Sequence, residues 1–291
     1  MIRPPQLIRI RSLTLGLALC LLSSLTAAAE KEALPLWEAG AGFGIANSPH
    51  YPGADERQTL ATPFPLFIYR GKTIKSDDSG IRGRLLNSER VALDLGFAFS
   101  LPTDSDDSDA REGMDDLDLG IEAGPNLNIK LREWGRNELK LQFPARALIV
   151  TDFSSASHEG WVFEPRLQLR LHQGPWAFDI SASTLIASRK YHEYYYGVDQ
   201  RFATADRPAY EAHGGYSRSG LRLGVLRSHG KWRFGAAVSH YTLANSQIDD
   251  SPLVKQNSST YVGAVVLWKF AESKQRAATE EAGLLDELTK P

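Results

Sequence analysis

The densest set of groups able to do chemistry is Asp104-Ser105-Asp106-Asp107-Ser108-Asp109. Closely spaced carboxylates are the raw material of a calcium loop, but the EF-hand register fails here, with no Gly at the sixth position and no Glu at the twelfth. The stretch reads as a solvated external loop; unspecific holding of divalent ions between its carboxylates and lipid phosphates is the alternative. The seven histidines are scattered. His158-Glu159 has no second His at the spacing a zinc protease uses, and no G-x-S-x-G elbow exists. Ser239 and His240 are neighbours, but neighbours on a strand point to opposite faces, so they form no dyad with each other. His213 and His240 could each meet a Ser or Asp from another strand inside a barrel, which keeps a barrel-embedded hydrolase as a third reading. The sequence assigns no catalytic, cofactor-binding or metal-ligating residue and calls for no cofactor.

Any such residue has to be positioned by strands. From Trp37 onward the pattern has period two: Val91-Ala92-Leu93-Asp94-Leu95-Gly96-Phe97-Ala98-Phe99 carries Val, Leu and Phe on one face and Ala, Asp and Gly on the other. Leu139-Lys140-Leu141-Gln142-Phe143, Leu167-Gln168-Leu169-Arg170-Leu171, Leu221-Arg222-Leu223-Gly224-Val225 and Trp232-Arg233-Phe234 repeat the arrangement. Short turn signals (Leu86 to Glu89, Glu133 to Asn137, His172 to Pro175, Ser228 to Lys231) alternate with long polar connections (Pro102 to Asp116, Ser188 to Arg207). Short turns on one side and long loops on the other are the habit of an outer-membrane barrel. The count is eleven or twelve strands between Trp37 and Phe270, with the aromatic patch Tyr191 to Gly197 in doubt; even numbers are the rule, so the expectation is twelve, with ten next. Trp37, Tyr69, Trp161, Trp176, Trp232, Tyr241, Tyr261 and Trp268 fall near strand ends, where an interfacial girdle would place rings with an apolar body and a polar tip. A soluble β-sandwich with core aromatics is the competing fold.

The N-terminus reads as a signal peptide: Arg3, Arg9 and Arg11 precede the apolar run Leu13 to Leu25 and the Ala27-Ala28-Ala29 site, with cleavage expected after Ala29. The rival, a lipoprotein signal at Leu17-Ala18-Leu19-Cys20, puts a bulky Leu before the cysteine. Cleavage removes the one cysteine, and with three arginines lost the formal charge moves from −2 to −5. A mildly acidic exported chain is no evident nucleic-acid binder. No later stretch is long and apolar enough for a spanning helix, a test that strands of about 9–11 residues escape. The expected organisation is a signal peptide over 1–29, a transmembrane antiparallel up-and-down β-barrel over 30–270, and a periplasmic tail over 271–291.

Two proline sites are unusual for strands. Pro63 and Pro65 would each lose a ladder hydrogen bond, so pairing is expected to begin near Leu66. Gly124-Pro125-Asn126 suggests a bulge or kink, or a loop between two shorter strands. Ser259 to Phe270 is the expected closing strand, with Val262, Ala264, Val266, Trp268 and Phe270 forming a wholly apolar lipid face opposite Tyr261, Gly263, Val265, Leu267 and Lys269. In the tail, Ala278, Ala282, Leu285 and Leu288 recur at helical spacing, a short amphipathic helix that would fold best on a partner, or else a frayed polar end.

Several fragments, in order, carry a resemblance: Tyr51-Pro52-Gly53, Pro63-Phe64-Pro65 leading to Tyr69, Asp78-Ser79-Gly80, Gly124-Pro125-Asn126, Tyr195-Tyr196-Gly197-Val198, Tyr210-Glu211-Ala212 before Gly214-Gly215, and Leu243 to Val254 followed by Tyr261 and Phe270. With them the chain resembles the MipA/OmpV family of Gram-negative outer-membrane proteins over about residues 37–270. The resemblance implies a barrel in the cell outer membrane that serves as a non-enzymatic scaffold in peptidoglycan metabolism, joining a murein-degrading lytic transglycosylase to a murein synthase. It carries no catalytic motif to transfer. The C-terminal extension departs from the family pattern. A small-solute channel is the second reading. Expected partners are outer-membrane lipid and the murein-synthesising machinery, with no nucleic acid.

Overall fold

A strand with one greasy face is stable only where that face meets something apolar, and its register fixes which face that is. In the computed structural model, which describes residues 35–70, 74–77, 80–100 and 102–275, the alternating segments form one antiparallel sheet. Its strands are β1 (Trp37–Pro49), β2 (Arg57–Arg70), β3 (Ile74–Asp77), β4 (Gly80–Asn87), β5 (Val91–Ser100), β6 (Leu119–Trp134) and β7 (Asn137–Thr151), then β8 (Ala156–Phe163), β9 (Arg166–Gln173), β10 (Trp176–Ala187), β11 (Gly215–His229), β12 (Trp232–Thr242) and β13 (Ser258–Glu272). The order runs from neighbour to neighbour, and β1 pairs with both β2 and β13, so the ladder closes on itself. β8 and β9 both lie between β7 and β10, separated by Glu164-Pro165, and count as one interrupted stave. Among the described residues the thirteen strands therefore make twelve staves, an even number. No described helix is long and apolar enough to cross a membrane, which says nothing of strands.

The burial pattern is that of a membrane barrel. On β7, Lys140, Gln142 and Arg146 are each 8% exposed and point inward, while Leu139, Leu141 and Phe143 occupy the outer phase. Phe43, Phe97, Ile180, Leu221, Leu223, Phe234, Val262 and Val266 are exposed on the outside. Polar groups inside and large apolar groups outside suit hydrocarbon around the wall and a hydrogen-bonded lumen within it. The expected lipid face of β13 is found as read: Val262, Val266, Trp268 and Phe270 are exposed, and Ala264 shares their phase.

Three expectations need correction. First, β2 is one strand from Arg57 with Pro63 and Pro65 inside it, paired to Phe43 and Ala41. Its ladder with β3 reaches only Tyr69 and Arg70, so the two missing N–H groups fall on a side where no described strand needs them. Second, Gly124-Pro125-Asn126 is neither bulge nor loop. β6 runs through it in unbroken register with β5, Leu95 opposite Pro125, and the register shift comes later, between Lys130 and Arg132. Third, Tyr241 and Tyr261 leave the girdle. They share a phase with buried Ser239 and Ser259, face the lumen, and meet edge to face at 5.7 Å. Trp161, Trp176, Trp232 and Trp268 do lie exposed on the outside, and Trp37 stacks on exposed Phe67. The side chain of Tyr69, the leader with Cys20, and the tail residues from 276 onward lie outside the described residues. After β13, the Trp37 carbonyl accepts from Ser273 and the Leu36 amide donates to Gln275, tying the two ends of the barrel together.

Candidate functional site

The long loops gather at the end of the barrel opposite the short turns. The aromatic patch left open in the strand count is a helix there, α1 (Arg189–Tyr196). Ser188 caps it, accepting from the Tyr191 amide and also from the Trp161 amide at 2.9 Å, which fixes the helix start against β8. Gly160, at φ +107°, makes that approach possible, because a Cβ there would lie 2.4 Å from the Ser188 hydroxyl oxygen and 2.5 Å from the Tyr191 nitrogen.

Around α1 the loops build a small apolar core of their own. Tyr51, Tyr191, Tyr195, Tyr196, Val198, Leu243, Ile248 and Leu253 are buried together with Leu148, Val150, Val162 and Leu185 from the upper wall. Hydrogen bonds lock one loop to another. Tyr51 Oη donates to the Leu253 carbonyl at 2.9 Å, Tyr196 Oη to Pro52 at 3.0 Å, and Ser251 Oγ to Tyr196 at 2.7 Å. The Arg207 guanidinium donates to the carbonyls of Ala110, Glu112 and Phe202, and Arg111 donates to those of Asp115 and Tyr195. The result is a folded plug seated in the mouth.

Its ionisable groups are tuned by burial. Tyr51 is pushed up to about 12 by desolvation, partly offset by Arg111. Tyr191, Tyr194, Tyr195 and Tyr196 are raised for the same first reason. His192 is fully buried and held below its ordinary value by desolvation, although its Nδ1 donates to the His213 carbonyl at 2.6 Å. Its Nε2 has no hydrogen-bond partner. In the outer 151–156 turn, Asp152 accepts from the amides of Ser155 and Ser154 and the Ser154 hydroxyl, which brings it down to about 2.

Beneath the plug the lumen is crossed by a polar ladder. Arg146 bridges Glu122 at 2.8 Å and Glu164 at 3.0 Å, and Arg166 also holds Glu164 at 3.0 Å. Tyr191 Oη reaches Glu122 from above at 3.5 Å. Asn128 joins Asp94 to Gln142, and Asp179 accepts from Gln168 and Arg170. Towards the turn end, Glu38, 1% exposed, holds Arg233 at 2.7 Å and Lys269 at 3.8 Å.

The residues weighed from sequence for chemistry are scattered by the fold. His240 points outward and bonds Thr260 Oγ1 at 2.9 Å, while Ser239 points inward to Arg222. His213 is exposed and His158 sits edge to face on Trp161. In the acidic loop, Asp104 caps a short 3-10 turn and Asp116 accepts from the Ser105 amide at 2.8 Å. The loop borders an open concavity of about 390 Å³ with His50 and Gln58, and no group of three described His, Cys, Asp or Glu side chains is placed to hold a metal ion. Sequence reading singled out neither the Glu122-Arg146-Glu164-Arg166 chain nor Arg218. The signal was available: each of these except Glu164 stands in the inward phase of an alternating strand.

The chain is similar to known outer-membrane proteins. Outer membrane protein Omp26La of Vibrio anguillarum is 26% identical over 208 residues, covering 70% of this chain and 76% of its own length. Outer membrane protein OmpV of Vibrio cholerae serotype O1 is 27% identical over 208 residues, with the same coverage of 70% and 76%. Among solved structures, the COG4313 outer membrane channel from Pseudomonas putida F1 aligns with a TM-score of 0.36 at 12% identity, over 84% of this chain and 99% of that one. The Pseudomonas putida toluene transporter TodX aligns at 0.34 and 8%, over 87% and 93%. The barrel assignment rests on the closed ladder of this chain, not on those distant alignments. The family profile described as MltA-interacting protein MipA matches residues 40–270, and this chain is a member of that outer-membrane family.

Proposed function

We propose that the protein is a non-enzymatic scaffold of the outer membrane, bringing a murein-degrading lytic transglycosylase together with a murein synthase in peptidoglycan metabolism. The observation that carries this reading is the interlocked loop core. A mouth filled by Tyr51, Tyr196, Leu243, Ile248 and Leu253 is a poor axial conduit, and it leaves the turns and the chain ends as the surfaces free to meet partners. The family description supports the choice of partner, since it names interaction with MltA. Targeting by a leader over 1–29, cleaved after Ala29, and a partner-binding tail over 271–291 belong to the same proposal. The test is cross-linking of the native protein in cells followed by identification of what it captures. Recovery of a lytic transglycosylase and a murein synthase is expected; their absence from the captured material overturns the scaffold.

A second reading, passage of small solutes, is favoured by one observation. Ala46, Thr62 and Arg222 point inward yet are exposed, so the lumen holds free space below the plug. Ion-selective current across a planar bilayer would support it, and electrical silence with folded protein would remove it.

A further inference from the structure

The polar half of the lumen carries more positive than negative charge. Among the described groups of the ladder, Arg146, Arg166, Arg170, Arg218 and Arg222 face Asp94, Glu122, Glu164 and Asp179, an excess of one cation. The four carboxylates are already engaged, Asp94 by Asn128, Glu122 by Arg146, Glu164 by Arg146 and Arg166, and Asp179 by Arg170 and Gln168. Arg218 is within electrostatic reach of Glu164, Tyr191, Tyr196 and Tyr261, but among the described residues its guanidinium makes no ion pair and no hydrogen bond. Its guanidinium lies over the Tyr241 ring, 5.1 Å from the centroid. Arg222, the other inward cation of β11, has among the described residues one long side-chain hydrogen bond, 3.4 Å to Ser239 Oγ.

These groups form a built site, not a random surplus. Arg218 and Arg222 stand on the same inward face of β11, four residues apart, which is about 13 Å along a strand. Between them lies Gly220, where a Cβ would come within 2.3 Å of the Tyr241 ring. The glycine therefore admits Tyr241 flat against the strand between the two arginines. Tyr261 stands edge to face on that ring at 5.7 Å, and neither phenol oxygen is among the buried, unpartnered atoms. Tyr191 and Tyr196 of the plug are also near Arg218. A half-buried charge such as Arg218 with no ion-pair partner is costly unless a counter-charge joins it. A guanidinium is a planar fork of donors that matches a carboxylate in two parallel hydrogen bonds, and aromatic rings beside it suit an apolar body.

We infer that the lumen beneath the plug binds a small organic carboxylate, held by the Arg218 guanidinium between the Tyr241 and Tyr261 rings, with Arg222 adding attraction. This goes beyond the scaffold and stands or falls independently of it, since it concerns the inside of the wall and not the surfaces a partner would touch.

The test is ligand-observed fluorine NMR on the purified full-length protein in detergent, with 4-fluorobenzoate, 4-fluorobenzyl alcohol and 4-fluorobenzylamine as probes. Saturable broadening is expected for the benzoate alone. R218Q should weaken it by about tenfold, the scale of one lost charge-assisted pair. R222Q should weaken it several-fold, R218K should weaken it less than R218Q, and R189Q, in an exposed pair with Glu211 at the start of α1, should leave it unchanged. Gel mobility before and after heating reports that each variant is folded. If R218Q does not fold, R218K and R222Q decide the matter, and unchanged benzoate binding in both overturns the site. Equal broadening by the amine overturns the anion, and displacement of benzoate by phosphate more effectively than by chloride at equal ionic strength overturns the carboxylate.

Discussion

Leu243, Ile248 and Leu253 at the mouth are fully buried, whereas Leu221, Leu223 and Val262 in the wall are more than half exposed. Leucine and its relatives have the same transfer preference in both places, but the surroundings differ. The plug faces water, so its apolar side chains turn inward and pack with Tyr191 and Tyr196 as in any soluble domain. The wall faces hydrocarbon, so its apolar side chains turn outward and the lumen inherits Glu122, Arg146, Glu164 and Arg166. One chain thus obeys two opposite burial rules, and the boundary runs through α1, where Tyr191 belongs to the plug core and reaches down to Glu122.

The contrast predicts different responses to damage. The largest effect is expected inside the wall. Glu164→Gln removes a carboxylate shared by Arg146 and Arg166, at 3.0 Å each, and leaves both partly uncompensated. Breaking a buried pair in this way costs about 3–5 kcal/mol, read as a shift in the urea midpoint of reversible folding into micelles. An unchanged midpoint would mean that water already solvates the ladder. Next comes Leu243→Ala in the plug, with a cost of about 2–5 kcal/mol for a fully buried leucine. Amide exchange should rise across residues 188–214 and 243–257 while the heat-dependent gel shift of the barrel persists. Loss of that shift would show that plug and wall form one cooperative unit.

Val266→Arg, near the middle of β13 on the lipid side, should cost about 2–4 kcal/mol, against little for a polar residue at inward Val265. Equal effects at the two positions would contradict the assigned phase. The mildest perturbation is alkaline pH. Tyr51 has an ordinary value of 10.0 and a folded value of about 12, so its neutral form stabilises the plug fully below pH 10, and that contribution is lost as pH rises towards 12. Tyr194, Tyr195 and Tyr196 shift in the same direction. Tyrosinate absorbance should therefore appear late and steeply, together with faster exchange in the plug but not in the strands. A single early transition near pH 10 would show that these rings are open to water.

Much of this was legible along the chain. Two-residue alternation marked the strands and placed Val262 to Phe270 on the lipid side, because pleating alone decides which residues share a face. Spacing of turn signals separated short from long connections, while the count of eleven or twelve strands became twelve only through the rule that such barrels have even numbers. The prolines at 63 and 65 were misread because their tolerance depends on a neighbour, the short β3, that lies elsewhere in the ladder. The girdle was overfilled with Tyr241 and Tyr261 because nearness to a strand end was weighed and phase was not. The four-residue run Glu193-Tyr194-Tyr195-Tyr196 has as much strand propensity as helix propensity, and only the Ser188 cap and packing on Gly160 settle it as helix.

By itself the sequence determined the class of structure, since period-two alternation is a local property that each strand carries without reference to the others. The tertiary structure decided everything that depends on which staves become neighbours: the sharing of Glu164 between two arginines, the seating of Tyr241 over Gly220, the loop core that fills the mouth, and the guanidinium of Arg218 left facing the lumen. Those are contacts between residues far apart in the chain, and register and closure fix them only when the ladder is complete.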